Sequence, residues 1–405
     1  MPYADLDYNL TEEQKSMRDT VRRFGAEVMR PAGIELDKLA DPADVIAEGS
    51  RLWDVFKQFR KLGMHKRGFS KYYGGMLEDM DPMSGYLITE ELGYADAGLT
   101  ISLGVSGMPF AYCQVSPSPN LQALAREYVE DTEANLIGCW AITEPDHGSD
   151  WSLGGDRPEC GPSVRGVLKG DKYIINGQKA AWVSNGTIAT HASLHVNLNP
   201  AKGMMGQGIA VCPLDLPGIT RGKPLDKIGQ RPLNQGEIFF DDVELPKEYM
   251  IIPDYEAFIQ GGGRGGQPPM SGMAVMFGGL AKAALDEALR YARERIQGGV
   301  PIFEHKNIKL KLFEMMMQVE AARSFARRMY LYNANSGAAS MLHSMMGKWL
   351  STETAFKVAS EAIQIFGGNG LSREYAIEKI FRDARTAMIE DGVNEALALG
   401  VADQM

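Results

Sequence analysis

The feature that most constrains the fold is a change of hydrophobic period along the chain. Apolar residues recur every three or four positions up to about residue 135 and again from about residue 265, whereas 136–250 carries short β-prone runs separated by Pro, Gly and Asn. The first pattern predicts helices buried on one face, and the second predicts a small barrel or sandwich. We therefore expect an α+β chain with an N-terminal helical domain (1–135), a middle β-domain (136–250) and a C-terminal helical bundle (251–405).

Several local signals support this division. Thr11 is followed by two Glu, which is typical of a helix N-cap, and Leu121–Tyr128 resumes a helix after a predicted loop at 116–120. The arms of 167–175 flank a Gly-Asp turn and predict a hairpin. The C-terminal zone has three apolar stripes, at Leu280, Ala284, Ala288 and Tyr291, at Ile308, Leu312, Met315 and Val319, and at Ala355, Val358, Ala362 and Phe366. The run GGGRGGQ (261–267) reads as a flexible lead-in to them.

Charge and composition exclude several classes of function. The 405 residues carry a formal charge of −10, which argues against bulk binding to nucleic acid or anionic lipid. The apolar run 272–281 ends at Lys282 and is too short for a membrane span. The N-terminal segment has no apolar signal region, so we expect a cytoplasmic protein. The four cysteines lack a CxxC spacing and are expected to be reduced, buried thiols, and no protein-built metal site is expected.

Four segments could carry chemistry, and each has a plainer interpretation. The segment 140–150 could hold a planar ring or be a domain-linking turn, and 181–186 could be a cofactor platform or β-domain core. The sequence GGNG at 367–370 could lie against a ligand or end a helix with left-handed residues. The acidic segment 383–395 could supply a positioned base or be a solvated charged face. No segment has the glycine spacing of a P-loop or of a dinucleotide-binding βαβ unit.

Taken in order, these segments resemble the acyl-CoA dehydrogenase family over nearly the whole chain. The most specific matches are ITEPDHGSD (142–150), INGQKAAWVSNG (175–186), FFDDVELP (239–246) and IQIFGGNG (363–370). The resemblance implies a helical domain, a middle β-barrel domain and a C-terminal four-helix bundle. It also implies bound FAD, an acyl-CoA substrate, an electron-transferring flavoprotein as acceptor, and a homotetramer built as a dimer of dimers.

The resemblance assigns the cofactor contacts residue by residue. Trp140, Ile142 and Thr143 would line the flavin ring, and Ser149, next to Gly148, would contact the pyrophosphate and the CoA. Trp182 and Ser184 would cover the dimethylbenzene side and the phosphates, although this chain has one extra residue between Lys179 and Trp182. Contacts to the FAD of a neighbouring subunit would come from Arg295, Gln364, Gly367 and Gly368. Val393 and Glu395 complete the expected cofactor set.

The catalytic position departs from the family pattern. Where the family usually has Tyr-Glu-Gly-Thr, this chain has Glu-Asp-Gly-Val at 390–393, so Asp391 aligns with the base and Glu390 is the fallback. The family's other base position falls near Pro269 and Met270, which cannot take a proton, and an Arg usual there is absent. Some relatives with cyclic or unusual substrates, and nitroalkane oxidases, use Asp.

The resemblance predicts α,β-dehydrogenation of an acyl-CoA thioester. The base would take the α-proton while its own backbone N–H stabilises the enolate oxygen. Asp is shorter than Glu by about 1.5 Å, so we expect a branched, cyclic or aromatic acyl group. Met108, Met273 and Phe277 could shape its pocket, or each could be an ordinary core residue, which is the more common role for such side chains. Two alternatives stay open, namely a flavin oxidase or monooxygenase of the same fold, like nitroalkane oxidase, and a non-enzymatic binding or scaffold role.

Overall fold

The computed structural model describes residues 9–150, 157–260 and 268–405. The N-terminal region is helical, as predicted. Its helices are α1 (Glu12–Phe24), which continues through a π-helical turn (Gly25–Met29) into α2 (Arg30–Asp37), then α3 (Pro42–Val45), α4 (Arg51–Lys61), α5 (Pro82–Ala95), α6 (Ala97–Val105), α7 (Met108–Cys113) and α8 (Pro119–Glu130). Thr11 caps α1 and forms a capping box with Gln14. The last helix begins at Pro119, inside the predicted loop, because Pro fits the first helical turn.

The middle region is a seven-stranded sheet in the order β1-β4-β2-β3-β7-β6, with β5 paired to β4. The strands are β1 (Gly138–Ala141), β2 (Arg165–Lys169), β3 (Lys172–Lys179), β4 (His191–Asn197), β5 (Gln207–Pro213), β6 (Ile219–Arg221) and β7 (Ile238–Pro246). The predicted hairpin is confirmed, because β2 and β3 pair antiparallel around Gly170, whose φ of 66° suits a tight turn. The first strand, β1, pairs parallel with β4 and leads directly into 142–150.

The C-terminal region is a helical bundle. After α9 (Tyr255–Gln260) come α10 (Pro269–Glu294), the short strands β8 (Ile296–Gln297) and β9 (Val300–Pro301), then α11 (Lys306–Asn335), α12 (Met341–Phe366), α13 (Ala376–Ala387) and α14 (Asn394–Ala402). The three predicted stripes lie in one core, with Ile308 only partly buried at its margin. The glycine-rich run at 261–267, expected to be a flexible lead-in, lies outside the described residues.

A single acidic residue joins the three regions. Asp37, at the end of α2, is buried, and its carboxylate accepts hydrogen bonds from Arg382 at 3.0 and 2.6 Å. Its carbonyl accepts from Arg373 (2.6 Å) and from Arg231 (3.0 Å), the latter lying between β6 and β7. Burial opposes ionisation of Asp37, but the hydrogen bond from Arg382 helps to hold the pKa of Asp37 below its ordinary value.

A second buried cluster crosses the same boundary. The Lys379 ammonium contacts Asp96 at 2.7 Å and Asp383 at 2.6 Å, and the Gln230 N–H donates to Asp383. Burial raises the pKa of Asp383 to about 6. The charged segment that begins at Asp383 is therefore not a solvated face at this end, because Asp383 is part of the interior.

Two expectations from composition can be compared with the structure. All four cysteines, Cys113, Cys139, Cys160 and Cys212, are free and buried. Within the described residues, no helix combines the length and apolarity that crossing a membrane requires.

Candidate active site

The loop between α13 and α14 carries two adjacent acids with different surroundings. Glu390 is tied down, since its Oε1 accepts a hydrogen bond from Gln230 Nε2 at 2.6 Å. Asp391 lies in the left-handed region with φ of 51°, followed by Gly392 at 96°. Within the described part of the chain, neither the carboxylate nor the backbone N–H of Asp391 has a hydrogen-bond partner. Asp391 therefore offers an acceptor and a donor from one residue.

The charges around this loop tune both acids. Burial raises the pKa of Asp391, and the Lys348 ammonium opposes that rise. Burial and the Asp391 charge raise the pKa of Glu390 to about 7. Burial also lowers the pKa of Lys348 to about 8, against the attraction of Glu390, Asp391 and Glu395. A carboxylate with a raised pKa is a better proton acceptor near neutral pH.

The segment 142–150 is fixed by a buried ion pair. The Lys179 ammonium, at the end of β3, lies 2.6 Å from Glu144, and both side chains are 0% exposed. Lys179 also donates to the Ile142 carbonyl at 3.2 Å, while Glu144 accepts from the Val164 N–H at 3.1 Å. Burial lowers the pKa of Lys179 to about 8. The backbone on either side of Thr143 is thus held in place from both directions, which a simple linking turn would not require.

Hydrogen bonds join this segment to the acidic loop. The Val393 N–H donates to Ser149 Oγ at 3.0 Å, so Ser149 contacts the acidic loop two residues after Asp391. Upstream, Trp140 Nε1 donates to His195 Nε2 at 3.0 Å, and His195 Nδ1 lies 2.6 Å from Gln207 Oε1. Because an indole N–H can only donate, the His195 proton lies on Nδ1 and points to Gln207. His195 therefore presents Nε2 as an acceptor, and the hydrogen bond to it orients the indole ring of Trp140.

The predicted platform at 181–186 is also positioned by its neighbours. Trp182 is 56% exposed and so is not β-domain core. Gln235 Nε2 donates to the Trp182 carbonyl at 3.0 Å and to Ser184 Oγ at 3.2 Å, and its Oε1 accepts from Lys227 at 2.8 Å. Burial lowers the pKa of Lys227 to about 7, although Glu390 opposes this.

The remaining predicted cofactor contacts lie elsewhere on the same chain. Gly367 ends α12 with φ of 61°, and the Tyr291 hydroxyl donates to the Phe366 carbonyl, which brings the end of α10 and thus Arg295 to this point. Gly367 follows Lys348, which contacts the acidic loop, by nineteen positions of α12, a rise of about 28 Å. The exposed group formed by Arg295, Gln364, Gly367 and Gly368 is thus not brought together with Asp391 within one chain.

The residues present fit the expected flavin nucleotide. Among the residues that the structure describes, no atom lies within 4 Å of a Cβ built on Gly148, Gly367 or Gly368, so each leaves open space beside the backbone. The segment 140–150, which bonds to the acidic loop through Ser149, offers an indole, hydroxyls and backbone groups, which suits a planar ring with a polar edge and a diphosphate. Cofactor contacts from Trp140, Thr143, Ser149 and Ser184 stay predictions, as does the contact from Glu395, which is exposed at the start of α14.

The predicted acyl pocket is only partly consistent with the structure. Phe277 is fully buried and, with Met273, belongs to the core of the bundle. Met108 begins α7 and is partly buried. Pro269 and Met270 begin α10, so no carboxylate stands at that alternative base position.

Sequence reasoning missed the residues that hold the site, namely Gln230, Gln235, His195, Glu144 with Lys179, and Lys348. A signal existed for Lys348. It lies seven positions before Ala355 and so falls in register with the apolar stripe of α12, where a charge needs a buried partner. For Glu144 and Lys179, the only signal was their place inside the two matched motifs.

Comparisons with known proteins give a consistent picture. Three family models match, described as the N-terminal (11–115), middle (139–243) and C-terminal (271–405) domains of acyl-CoA dehydrogenase. A probable acyl-CoA dehydrogenase, YngJ, of Bacillus subtilis is 30% identical, with 99% of this chain and 100% of that protein covered. A cyclohex-1-ene-1-carbonyl-CoA dehydrogenase of Syntrophus aciditrophicus is 30% identical, with 96% and 89% covered.

Solved structures agree with the sequence comparisons. Butyryl-CoA dehydrogenase from Megasphaera elsdenii superposes with a TM-score of 0.83 at 27% identity, covering 98% of this chain and 99% of that one. A chain from a structure described as the electron transferring flavoprotein of Acidaminococcus fermentans superposes with a TM-score of 0.82 at 26% identity, covering 98% and 99%.

Proposed function

Because the chain belongs to the acyl-CoA dehydrogenase family of FAD-dependent oxidoreductases, which act on the CH–CH group of acyl-CoA, we propose that it dehydrogenates an acyl-CoA thioester with Asp391 as the base. The observation that carries this proposal is the contrast within the acidic loop. Glu390 is engaged by Gln230, whereas the carboxylate and N–H of the neighbouring Asp391 are unengaged within the described residues.

The chain's own groups divide the work at the thioester. The Asp391 carboxylate removes the proton from the carbon next to the carbonyl, and burial makes it more basic than a solvated Asp. The Asp391 N–H donates to the carbonyl oxygen as negative charge develops there. Because both groups belong to one residue, the left-handed backbone at φ of 51° sets their relative direction.

The flavin would be held by the segments fixed around this loop. Trp140, Ile142 and Thr143 would line the ring, and Ser149 and Ser184 would provide hydroxyls. When bound, FAD supplies the acceptor for the hydride that leaves the β-carbon. The ion pair between Glu144 and Lys179 keeps the ring-lining backbone in place.

The base assignment is tested by Asp391→Asn beside Glu390→Gln. We expect D391N to keep FAD but to lose about 10²- to 10⁴-fold in anaerobic flavin bleaching by acyl-CoA, the range for a general base. The E390Q variant should lose less than about tenfold, because Gln230 and not the substrate holds Glu390. If E390Q is the inactive variant and D391N is active, the base is Glu390.

We also propose a branched, cyclic or aromatic acyl group. The support is the short Asp side chain, which requires the α-carbon to lie closer to the loop by about 1.5 Å. A turnover panel of butanoyl-, octanoyl-, isobutanoyl-, cyclohexanecarbonyl- and benzylsuccinyl-type CoA thioesters measures the choice. A highest kcat/KM for butanoyl- or octanoyl-CoA would contradict it.

For the electrons, we propose an electron-transferring flavoprotein as acceptor. The support is the family pattern together with the similarity to the Acidaminococcus fermentans chain. Reduced enzyme should be reoxidised slowly by air and rapidly by an electron-transferring flavoprotein. Rapid reoxidation by air alone would favour the oxidase alternative.

Finally, we propose a homotetramer. In it, the exposed group formed by Arg295, Gln364, Gly367 and Gly368 would contact the FAD of a neighbouring subunit. Beside its buried stripe, α11 has an exposed apolar stripe at Leu310 (58%), Phe313 (56%) and Met317 (54%). A helix with two apolar faces normally packs on both sides. Sedimentation should give four times 44.4 kDa, and Leu310→Glu with Met317→Glu should lower this mass and release FAD. A monomeric wild-type protein that retains FAD would refute this proposal.

A further inference from the structure

The loop that carries Asp391 has a backbone that must be held in place. Two consecutive residues, Asp391 and Gly392, have positive φ values of 51° and 96°. The left-handed region is unfavourable for most residues with a Cβ, although Asp adopts it more readily than most, and two such residues in succession persist where surrounding contacts determine them.

The contact that holds the centre of the loop comes from α12. Lys348 Nζ donates to the Gly392 carbonyl at 2.8 Å and to Asn394 Oδ1 at 2.9 Å. Asn394 Nδ2 in turn donates to Thr352 Oγ1 at 3.0 Å, one turn further along α12. The Lys348 side chain is fully buried, so these partners replace the water that an ammonium otherwise needs.

The position of Lys348 also matters electrostatically. Three acids face it, namely Glu390 and Asp391 from the loop and Glu395 from the first turn of α14. Lys227 faces Glu390 from the middle domain. The Lys348 charge acts on Asp391 against burial, so it favours the ionised carboxylate.

We propose that Lys348 is a positioning residue for the reaction, which fixes the Asp391 backbone through the Gly392 carbonyl and keeps the Asp391 carboxylate ionised. This inference rests on the proposed role of Asp391. The two effects are separable, because the first depends on hydrogen-bond geometry and the second only on the charge.

The test measures α-proton exchange of butanoyl-CoA and cyclohexanecarbonyl-CoA in D2O by mass spectrometry, as a function of pH, with the FAD-loaded enzyme. In Lys348→Met, we expect the acidic limb of the profile to move up by about one pH unit. The plateau rate should fall about 10- to 100-fold, as expected for a displacement near 1 Å. In Lys348→Arg, the acidic limb should stay in place while the plateau falls, because the charge is kept and the geometry is not.

Lys357→Met is the matched control, since Lys357 lies on the same helix but its side chain is 64% exposed beside Glu353. It should leave both the limb and the plateau unchanged. A K348M profile that matches the K357M profile overturns the inference. If K348M does not fold, K348R decides, and a wild-type plateau in K348R overturns it. D391N separates the two proposals: wild-type exchange in D391N refutes Asp391 as base, whereas a D391N loss with a wild-type Lys348 series refutes only the role of Lys348.

Discussion

The buried ion pair between Glu144 and Lys179 gives a quantitative prediction. Glu144→Gln removes the negative partner of Lys179, and both side chains are 0% exposed, so solvent cannot replace it. Removing one member of such a pair typically costs about 3–5 kcal/mol, because a buried charge is left uncompensated. We expect E144Q to lower the free energy of unfolding of the β-domain by that amount.

The pH dependence follows from Lys179. In the wild type, burial lowers the pKa of Lys179 from 10.5 to about 8, although Glu144 opposes this. In E144Q that opposition is lost, so the folded variant releases the proton below pH 8 while its unfolded chain keeps it. The stability of E144Q therefore rises with pH before that of the wild type does. The difference in the free energy of unfolding between wild type and E144Q should therefore narrow between pH 6 and 8, by up to about 1.4 kcal/mol per pH unit.

Urea unfolding at pH 6 and 8 measures the deficit, and hydrogen exchange of the Val164 amide, which bonds to Glu144 at 3.1 Å, reports the local opening. The control is Glu244→Gln, whose partner Lys172 lies on the same strand as Lys179 but in an exposed pair. E244Q should change stability by less than about 1 kcal/mol, and Glu144→Gln with Lys179→Met should recover much of the loss. Equal effects of E144Q and E244Q would refute the reasoning.

Two further predictions concern other buried polar groups. Asn185→Ala should lower the free energy of unfolding by about 2–4 kcal/mol. Asn185 has φ of 63°, accepts a hydrogen bond from the Ser102 hydroxyl at 2.6 Å and donates to the Ser102 carbonyl at 2.8 Å. Urea unfolding checks this, and a loss below about 1 kcal/mol would contradict it. Burial and Asp391 raise the pKa of Glu390 from 4.5 to about 7, so wild-type stability is lost as pH rises through that window, and Glu390→Gln should gain stability relative to wild type from pH 4.5 to 8. If the melting temperatures of the two proteins change by the same amount with pH across that range, this assignment is wrong.

The sequence predicted the layout well because hydrophobic period is a local property. The stripe of Ala355, Val358 and Ala362 depends only on residues within one helix, and it is buried as expected. The hairpin around Gly170 likewise depends on neighbouring residues alone. Such features need no knowledge of what the element packs against.

The site was predicted less completely because its supports come from distant segments. The resemblance pointed to Asp391, but it gave no hint that Lys348, 43 positions earlier, reaches the Gly392 carbonyl. Spacing also could not show that Gly367 lies at the opposite end of α12 from Lys348, the residue of this helix that contacts the loop of Asp391. Phe277 lies in the core of the bundle, which is one of the two roles that the sequence left open, since aromatic residues next to a site and within a core look alike in sequence.

The meeting point at Asp37 has a consequence for how this protein can be recombined. One carboxylate and one carbonyl serve Arg382 and Arg373 from the C-terminal bundle and Arg231 from the middle domain. A chimera that takes its first helices from a relative without this acid would leave Arg382 with only Glu378 and the Ile228 carbonyl as partners. The three regions are therefore best inherited together, and crossovers between homologues should carry Asp37 with Arg382 and Arg373, which contact its carboxylate. Arg231 is less demanding, because it bonds only to the backbone carbonyl that any residue at position 37 would supply.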